Sequence, residues 1–199
     1  MQEGEQSSTN AHPRRPPRIL CYGDSLTAGY TALTKYTGAF APWAPHLADA
    51  LGCTVDHVGM CGWTTTQMLD GLDNVANVDV CKVSHCGLRW LLREGSYTHV
   101  LLMAGTNDLK HRPAGEITKS IKQLHAVCHA AGARSLAMGI PHSKVCTIGS
   151  RARSECRREV NDSLRAFAVG SGCWSDYCEP GKEVQRWEDQ CTSSRTGCI

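Results

Sequence analysis

The chain has 199 residues, of which 41% are hydrophobic and 20% are charged, and its formal net charge is +2. This length allows one domain with a sizeable core. The small net charge argues against a nucleic acid or an anionic membrane as a partner. No apolar run approaches the roughly 18 residues that a helix needs to span a bilayer, and the N-terminus lacks the apolar stretch of a secretory signal. We therefore predict a cytoplasmic protein without a transmembrane segment.

The chain contains twelve cysteines, which is unusual without a secretory signal. None of them forms a Cys-x-x-Cys pair, so their spacing argues against a zinc site. Several lie inside apolar runs, where thiols pack as small hydrophobic groups. We expect reduced thiols, with a disulfide framework as the less favoured alternative.

Changes in composition divide the chain into three segments. Residues 1–17 are polar and rich in proline, which predicts a disordered arm. Residues 18–169 carry the regular elements of one domain. Residues 170–199 form an atypical tail with only two aliphatic side chains, Val184 and Ile199. Because this tail cannot bury much apolar area, we expect it to be poorly ordered.

Strands and helices alternate four times along the central segment. Short apolar runs predict strands at 18–22, 54–58, 98–104 and 135–140. Apolar residues on one face predict helices at 42–51, 88–93, 114–131 and 150–169. A further helix is predicted to carry Met68, Leu69 and Leu72, with caps offered by Thr64, Thr65 and Thr66. The segments 31–40 and 73–86 are predicted to be irregular. This alternation predicts a parallel, doubly wound α/β sheet. A fifth strand belongs after Val169, but the tail shows no apolar run for it.

The first strand leads directly into Gly23-Asp24-Ser25. Asp and Ser after a buried strand are helix-start residues, so Ser25 is predicted to lie on a strand-to-helix turn. Free N–H groups and the helix dipole at such a turn favour developing negative charge, which suits a nucleophile. The alternative is that Ser25 only caps the helix.

Similar polar or glycine-rich segments follow three successive strands: Gly23-Asp24-Ser25, Gly59-Met60-Cys61-Gly62 and Gly105-Thr106-Asn107-Asp108. Ligands of open α/β sheets bind beyond the carboxyl ends of the strands. If the first and third predicted strands are neighbours, about 4.8 Å apart, Ser25 and Asn107 face one cleft. The N–H groups of Ser25 and Gly62 and the side-chain amide of Asn107 are then candidate donors to an oxyanion, and removing one such donor typically costs about 10²–10³ in rate. Alternatively, Gly62 serves only its turn and Asn107 caps a helix.

These segments resemble the first three sequence blocks of the SGNH hydrolases, also called GDSL esterases and lipases. The matching residues are Gly-Asp-Ser-Leu-Thr-Ala-Gly at 23–29, Gly-x-x-Gly-x-Thr-Thr at 59–65 and Gly-Thr-Asn-Asp at 105–108. The resemblance implies a flavodoxin-like, three-layer α/β/α fold. It also implies hydrolysis of ester or thioester bonds in lipids, acetylated sugars or small esters, without a cofactor or metal. Ser25 would be the nucleophile, and Ser25, Gly62 and Asn107 would form the oxyanion hole.

The C-terminal end departs from the pattern of this family. The family carries an Asp-x-x-His block whose His is the general base, yet no His follows His142 in this chain. Asp189 matches the Asp position, which puts Thr192 where the His belongs, and Thr cannot act as a base near neutral pH. One hypothesis is that residues 170–199 are a frameshifted or alternatively spliced end that has lost the last strand and the base. The other is that a different histidine substitutes, with His142 as the best candidate because it follows a strand at the same edge.

The sequence therefore predicts a serine ester hydrolase, impaired by the missing block, that acts on a lipid, acetyl or small ester. The alternative is a non-catalytic protein that holds esters or acyl groups on the same fold. Nucleotide binding is the least supported class, because the first turn is not Gly-x-Gly-x-x-Gly and no Walker motif occurs.

Overall fold

A computed structural model of the protein describes residues 16–31, 33–142, 150–171 and 175–178. Within these residues the main sheet has five strands, and every neighbouring pair in it is parallel. Two further strands form a separate antiparallel ribbon. In chain order the strands are β1 (Arg18–Asp24), β2 (Thr54–Met60), β3 (Asn77–Val78), β4 (Ser84–His85), β5 (His99–Met103), β6 (Arg134–Met138) and β7 (Ser175–Cys178).

Helices connect the strands of the main sheet. They are α1 (Ser25–Ala28), α2 (Thr34–Thr37), α3 (Ala44–Leu51), α4 (Thr65–Asp70), α5 (Leu88–Gly95), α6 (Ala114–Ala130) and α7 (Arg151–Gly170), and a 3₁₀ turn covers Asp108–Lys110. None of the helices in the described parts of the chain combines the length and the apolar character that a membrane span requires.

The strand order of the main sheet is β2-β1-β5-β6-β7, which is the order of a flavodoxin-like, doubly wound sheet. Successive side chains of β1 point to opposite faces. Leu20 and Tyr22 pack in the larger core cluster with residues of α4 to α7, whereas Ile19 and Cys21 pack in a smaller cluster with Ala44 of α3. Helices thus cover both faces of the sheet, and the predicted three-layer α/β/α fold is confirmed.

Strands β1 and β5 are direct neighbours, with Gly23 paired to Met103 at their carboxyl ends. The prediction that Ser25 and Asn107 face one cleft required these two strands to be neighbours. Because all main strands run in the same direction, the segments that follow β1, β2 and β5 leave the sheet at that edge.

Two segments that were predicted to be irregular contain short regular elements. Residues 31–40 include α2, and residues 73–86 include the ribbon of β3 and β4. Neither segment shows an apolar period in the sequence. The ribbon turn is organised instead by the buried carboxylate of Asp79, which accepts hydrogen bonds from the backbone N–H groups of Cys81 and Val83.

The prediction that the last strand is lost is wrong, because β7 pairs with β6 from Ser175 opposite Ser135 to Cys178 opposite Met138. Tyr177 of this strand packs against the larger core cluster, and polar contacts bind the strand at its start. The buried Ser175 hydroxyl lies 3.0 Å from that of Ser135 and 3.1 Å from Nε2 of His129. The remaining tail from 179 onward and the predicted arm up to residue 15 lie outside the described residues.

Candidate active site

Ser25 is the first residue of α1 and follows β1 directly. Only glycine fits at the preceding position 23, since a Cβ there would lie 2.1 Å from the Met103 carbonyl oxygen and 2.4 Å from Thr27 Oγ1. Asp24 caps the helix, accepting a hydrogen bond of 3.0 Å from the N–H of Leu26. Ser25 therefore does not serve as the cap. It is half-buried, and among the described residues no side chain hydrogen-bonds its hydroxyl.

The helix that begins at Ser25 is a single turn. It spans four residues, and Gly29, whose φ of 77° is left-handed, caps its end. One helical turn aligns few peptide dipoles, so the predicted dipole effect on Ser25 is small. Any stabilisation of negative charge here must come from individual N–H groups of the turn.

Asp24 lies beneath this turn with a relative exposure of 0%. Burial raises its pKa to about 6, and Asp108 adds to the rise, while the Leu26 N–H acts in the opposite direction. Thr106 is close enough to lower the pKa, although neither its Oγ1 nor Asp24 Oδ2 meets the geometry of a hydrogen bond. The carboxyl is thus protonated in a pH range where an ordinary aspartate is ionised.

We expect Asp24→Asn to remove a pH-dependent part of the stability. The pKa is 3.8 before folding and about 6 in the folded protein, so the folded state binds the extra proton between these values. The free energy of unfolding therefore falls as the pH rises through about 6, by roughly 3 kcal/mol for this group. Urea unfolding of the wild type and the variant from about pH 4 to about pH 8 measures the difference between the two curves.

The matched control is Asp49→Asn, which removes an exposed carboxyl on α3. Relative to the wild type, the free energy of unfolding of Asp24→Asn should increase across this window and stay constant above about pH 7. A pH profile of Asp24→Asn that follows the profile of the control would contradict the raised pKa.

Gly62 lies two residues beyond the end of β2 and has a φ of +75°. A Cβ at this position would come within 2.8 and 2.9 Å of the two methyl groups of Val80. The left-handed backbone and the approach of Val80 therefore both require glycine. The N–H of Val80 also donates to the carbonyl oxygen of Cys61 at 3.3 Å, so the ribbon of β3 and β4 packs against this segment.

Asn107 joins the segment after β5 to the segment after β2. Its Nδ2 donates a hydrogen bond of 2.8 Å to the carbonyl oxygen of Trp63, the residue that follows Gly62. The amide nitrogen carries two hydrogens, so one remains for another acceptor. Although Asn107 stands at the start of the 3₁₀ turn, its side chain makes no capping hydrogen bond. The side chain of Asn107 therefore does not cap this turn.

Asp108 holds α4 and the 3₁₀ turn together from a fully buried position. Its two carboxylate oxygens accept hydrogen bonds from the N–H and the hydroxyl of Thr65 at 2.9 and 2.8 Å. Arg112 Nη1 lies 2.9 Å from Asp108 Oδ1 and 2.9 Å from Thr65 Oγ1. No sequence pattern indicated Arg112 or Thr65 as partners of Asp108.

The candidate base His142 lies away from Ser25 in the strand order. His142 is exposed and lies beyond the end of β6, and β5 separates β6 from β1. Two strand spacings amount to about 10 Å. Asp189 and Thr192 lie outside the described residues. Within the part of the chain that the structure describes, Ser25, Gly62 and Asn107 thus share one edge of the sheet without a histidine bonded to Ser25.

A small cavity beside α1 was not expected from the sequence. Its volume is about 180 Å³, and its lining includes Ala28, Phe40, Val83 and the pair formed by Asp79 and His85. The Nε2 atom of His85 lies 3.3 Å from Oδ2 of Asp79. Burial acts to raise the pKa of Asp79, but hydrogen bonds from backbone N–H groups and from His85 hold it below its usual range. Since Asp79, Val83 and His85 fall in segment 73–86, which shows no apolar period, no sequence pattern indicated them.

Comparison with known proteins agrees with the resemblance in the three segments. A model of the GDSL-like lipase/acylhydrolase family matches residues 21–185. No curated protein matches the sequence.

Three solved structures illustrate the shared fold. A lipolytic protein of the G-D-S-L family from Veillonella parvula is 18% identical with a TM-score of 0.57, covering 92% of this chain and 84% of that one. The psychrotrophic esterase EstA from Pseudoalteromonas is 19% identical with a TM-score of 0.53, covering 81% and 76%. A GDSL-like lipase from Bacteroides thetaiotaomicron is 14% identical with a TM-score of 0.52, covering 81% and 67%.

Proposed function

Because the chain belongs to the GDSL-like lipase/acylhydrolase family, we propose that it hydrolyses carboxylic esters with Ser25 as the nucleophile. The observation that carries this proposal is the hydrogen bond from Asn107 to the Trp63 carbonyl, which draws two of the three segments together next to β1. Ser25 stands at the end of β1 with a hydroxyl that is not engaged by another described side chain. A nucleophile that is half-buried and unengaged is open to a substrate carbonyl.

In the proposed reaction, Ser25 Oγ attacks the ester carbonyl carbon and its proton passes to a base. The negative charge that develops on the carbonyl oxygen is stabilised by donors fixed in advance. These are the backbone N–H groups of Ser25 and Gly62 and the second hydrogen of Asn107 Nδ2. The alcohol then leaves, and water hydrolyses the acyl ester on Ser25.

The reaction needs a general base within hydrogen-bond reach of Ser25 Oγ, about 3 Å. The proposal assigns this role to His142, which lies beyond the carboxyl end of β6. The tail holds no histidine, and Asp189 matches the Asp of the family block, which supports the base rather than acting as the base. Catalysis by the oxyanion hole and binding alone retains roughly 10³–10⁴ over the uncatalysed rate when a triad is damaged. The chain is therefore expected to be a slow esterase if His142 does not act as the base.

The substrate is proposed to carry a small acyl group. The cavity of about 180 Å³ beside α1 is smaller than the roughly 300–1,000 Å³ of pockets that hold drug-sized ligands. Ala28, Phe40 and Val83 give its lining an apolar part that suits an acetyl or butyryl chain.

Labelling with a phosphonate ester tests the proposal at its first step. EstA from Pseudoalteromonas has been solved inhibited by monoethylphosphonate, and a phosphonyl group on serine mimics the tetrahedral intermediate. We expect a p-nitrophenyl ethylphosphonate to release one equivalent of nitrophenolate per chain. The adduct should be found by mass spectrometry on the tryptic fragment 19–35, which contains Ser25.

Two variants make the labelling specific. Ser25→Ala should form no adduct, while Ser150→Ala should keep it, since Ser150 is also a helix-start serine but caps α7 through the N–H of Arg153. Equal labelling of wild type and Ser25→Ala would exclude Ser25 as the nucleophile. A wild type that is not labelled but binds butyrate esters would favour the non-catalytic alternative.

A further inference from the structure

Cys61 and Cys81 are far apart in the sequence but share one hydrogen-bond acceptor. The N–H of Cys61 donates to Asp79 Oδ2 at 2.9 Å, and the N–H of Cys81 donates to Asp79 Oδ1 at 2.8 Å. The two sulfur atoms and a carboxylate oxygen of Asp79 all lie within 4.8 Å of one another. Both side chains are free thiols in this structure.

Both oxygens of the Asp79 carboxylate, which lies between the thiols, already have hydrogen-bond partners. Besides the two cysteine N–H groups, Asp79 accepts a hydrogen bond of 3.0 Å from the N–H of Val83 and lies 3.3 Å from His85 Nε2. A metal ion bound to this carboxylate would displace contacts that compensate for burying it. The two thiols are therefore the groups of this cluster that remain available for chemistry.

We propose that Cys61 and Cys81 are a modification site that forms a reversible disulfide. A rotation about one Cα–Cβ bond moves a sulfur atom by roughly 3 Å, enough to bring sulfurs within 4.8 Å to bonding distance. The oxidant is a small disulfide such as oxidised glutathione, which accepts two electrons from the pair.

The exchange proceeds through the more accessible thiol. Cys81 is half-exposed and Cys61 is buried. The Cys81 thiolate attacks one sulfur of the external disulfide, and the first glutathione leaves as a thiol. The Cys61 thiolate then attacks the Cys81 sulfur of the mixed disulfide, and the second glutathione leaves. The two protons from the cysteines end on the two released thiols.

The surroundings of Cys61 favour a slow but stable disulfide. Burial raises the pKa of Cys61 to about 12, with Cys81 and Asp79 adding to the rise. Few thiolates are present near neutral pH, so the second attack is slow. For the same reason the reduced pair gains no stability from ionisation, and the disulfide is not a strong oxidant.

The bond would tie together the two sides of the contact between Gly62 and Val80. Cys61 precedes Gly62, and Cys81 follows Val80, whose methyl groups occupy the space of a side chain at position 62. The disulfide would close a loop that contains α4. Oxidation of the pair is independent of the ester chemistry proposed for Ser25, so a protein without esterase activity still tests it.

Equilibration of the purified full chain with glutathione buffers of increasing oxidised fraction tests the pair. Cleavage before aspartate separates Cys61 in fragment 56–69, Cys53 in fragment 49–55 and Cys81 in fragment 79–107. We expect fragments 56–69 and 79–107 to be joined by a bond that dithiothreitol breaks. The melting temperature should rise by about 6–10 °C, as expected for a cross-link that closes a loop of about 20 residues.

Three variants control the measurement. Cys81→Ser should lose both the joined fragments and the rise in melting temperature. Cys86→Ser, the other thiol of fragment 79–107, and Cys53→Ser, at the opposite end of β2, should keep both. Joined fragments that persist in Cys81→Ser, or glutathione retained on Cys81 alone, would overturn the proposal. One equivalent of Zn²⁺ held by the reduced wild type and lost in Cys81→Ser would overturn it in favour of a metal centre.

Discussion

Ser25→Ala is expected to lower kcat for p-nitrophenyl acetate by roughly 10⁴-fold when a general base assists Ser25, to the roughly 10³–10⁴ over the uncatalysed rate that the oxyanion hole and binding alone sustain. The substitution removes one oxygen from a half-buried position. Since Asp24 rather than Ser25 caps α1, the fold should remain intact. Steady-state hydrolysis of the acetate and the butyrate, with circular dichroism as a check of folding, measures the effect.

Two further variants separate the roles around Ser25. Asn107→Ala should lose about 10²–10³-fold in kcat because one oxyanion donor is removed, while phosphonate labelling of Ser25 persists. His142→Ala should match Ser25→Ala if His142 is the base, and should match the wild type if His142 does not assist Ser25. A Ser25→Ala variant that hydrolyses the esters as fast as the wild type would show that the hydrolysis does not depend on Ser25.

Asp108→Ala is expected to lower the free energy of unfolding by about 3–5 kcal/mol. The carboxylate is fully buried and accepts from both the N–H and the hydroxyl of Thr65. Its removal leaves the guanidinium of Arg112, which is 22% exposed, with only the exposed carboxylate of Glu116 as its opposite charge, at 3.4 Å. A largely buried charge that has lost its buried partner and an unsatisfied buried N–H are both costly. Denaturation in urea at neutral pH measures the loss.

The control for this loss is Asp162→Ala. Like Asp108, Asp162 pairs with an arginine, which is Arg165 on the same helix α7. The side chains of Asp162 and Arg165 are 72% and 43% exposed. Exposed pairs contribute about 0–1 kcal/mol, so the control should change little. Asp108→Asn keeps acceptor and donor groups at the site and should lose less than Asp108→Ala. A loss in Asp108→Ala no larger than in the control would show that the network contributes little to stability.

Local sequence patterns were sufficient for the elements of the main sheet. The helix predicted at 114–131 is Ala114–Ala130, and the strand predicted at 98–104 is His99–Met103. Apolar period and residue type act over a few neighbouring positions, so they can be read without knowing the fold. Thr64 is a further case, since its capping box with Gln67 lies within four residues.

Polar hydrogen bonds between distant segments built the elements that the sequence did not indicate. Asp79 of the ribbon accepts a hydrogen bond from the distant N–H of Cys61, and Ser175 of β7 contacts Ser135 and His129. These polar contacts leave no apolar pattern of the kind on which strand prediction relies. Composition alone therefore underestimated the order of residues 175–178.

By itself, the sequence determined the fold class and which segments meet at one edge, because parallel strands of a doubly wound sheet end on the same side. Only the tertiary structure decided how these segments are joined there. Asn107 bonds to Trp63 and Asp108 to Thr65 across more than forty residues of chain, and Asp79 holds Cys61 and Cys81 together. Such bonds depend on side-chain geometry that forms only when the sheet is assembled, and no local pattern encodes them.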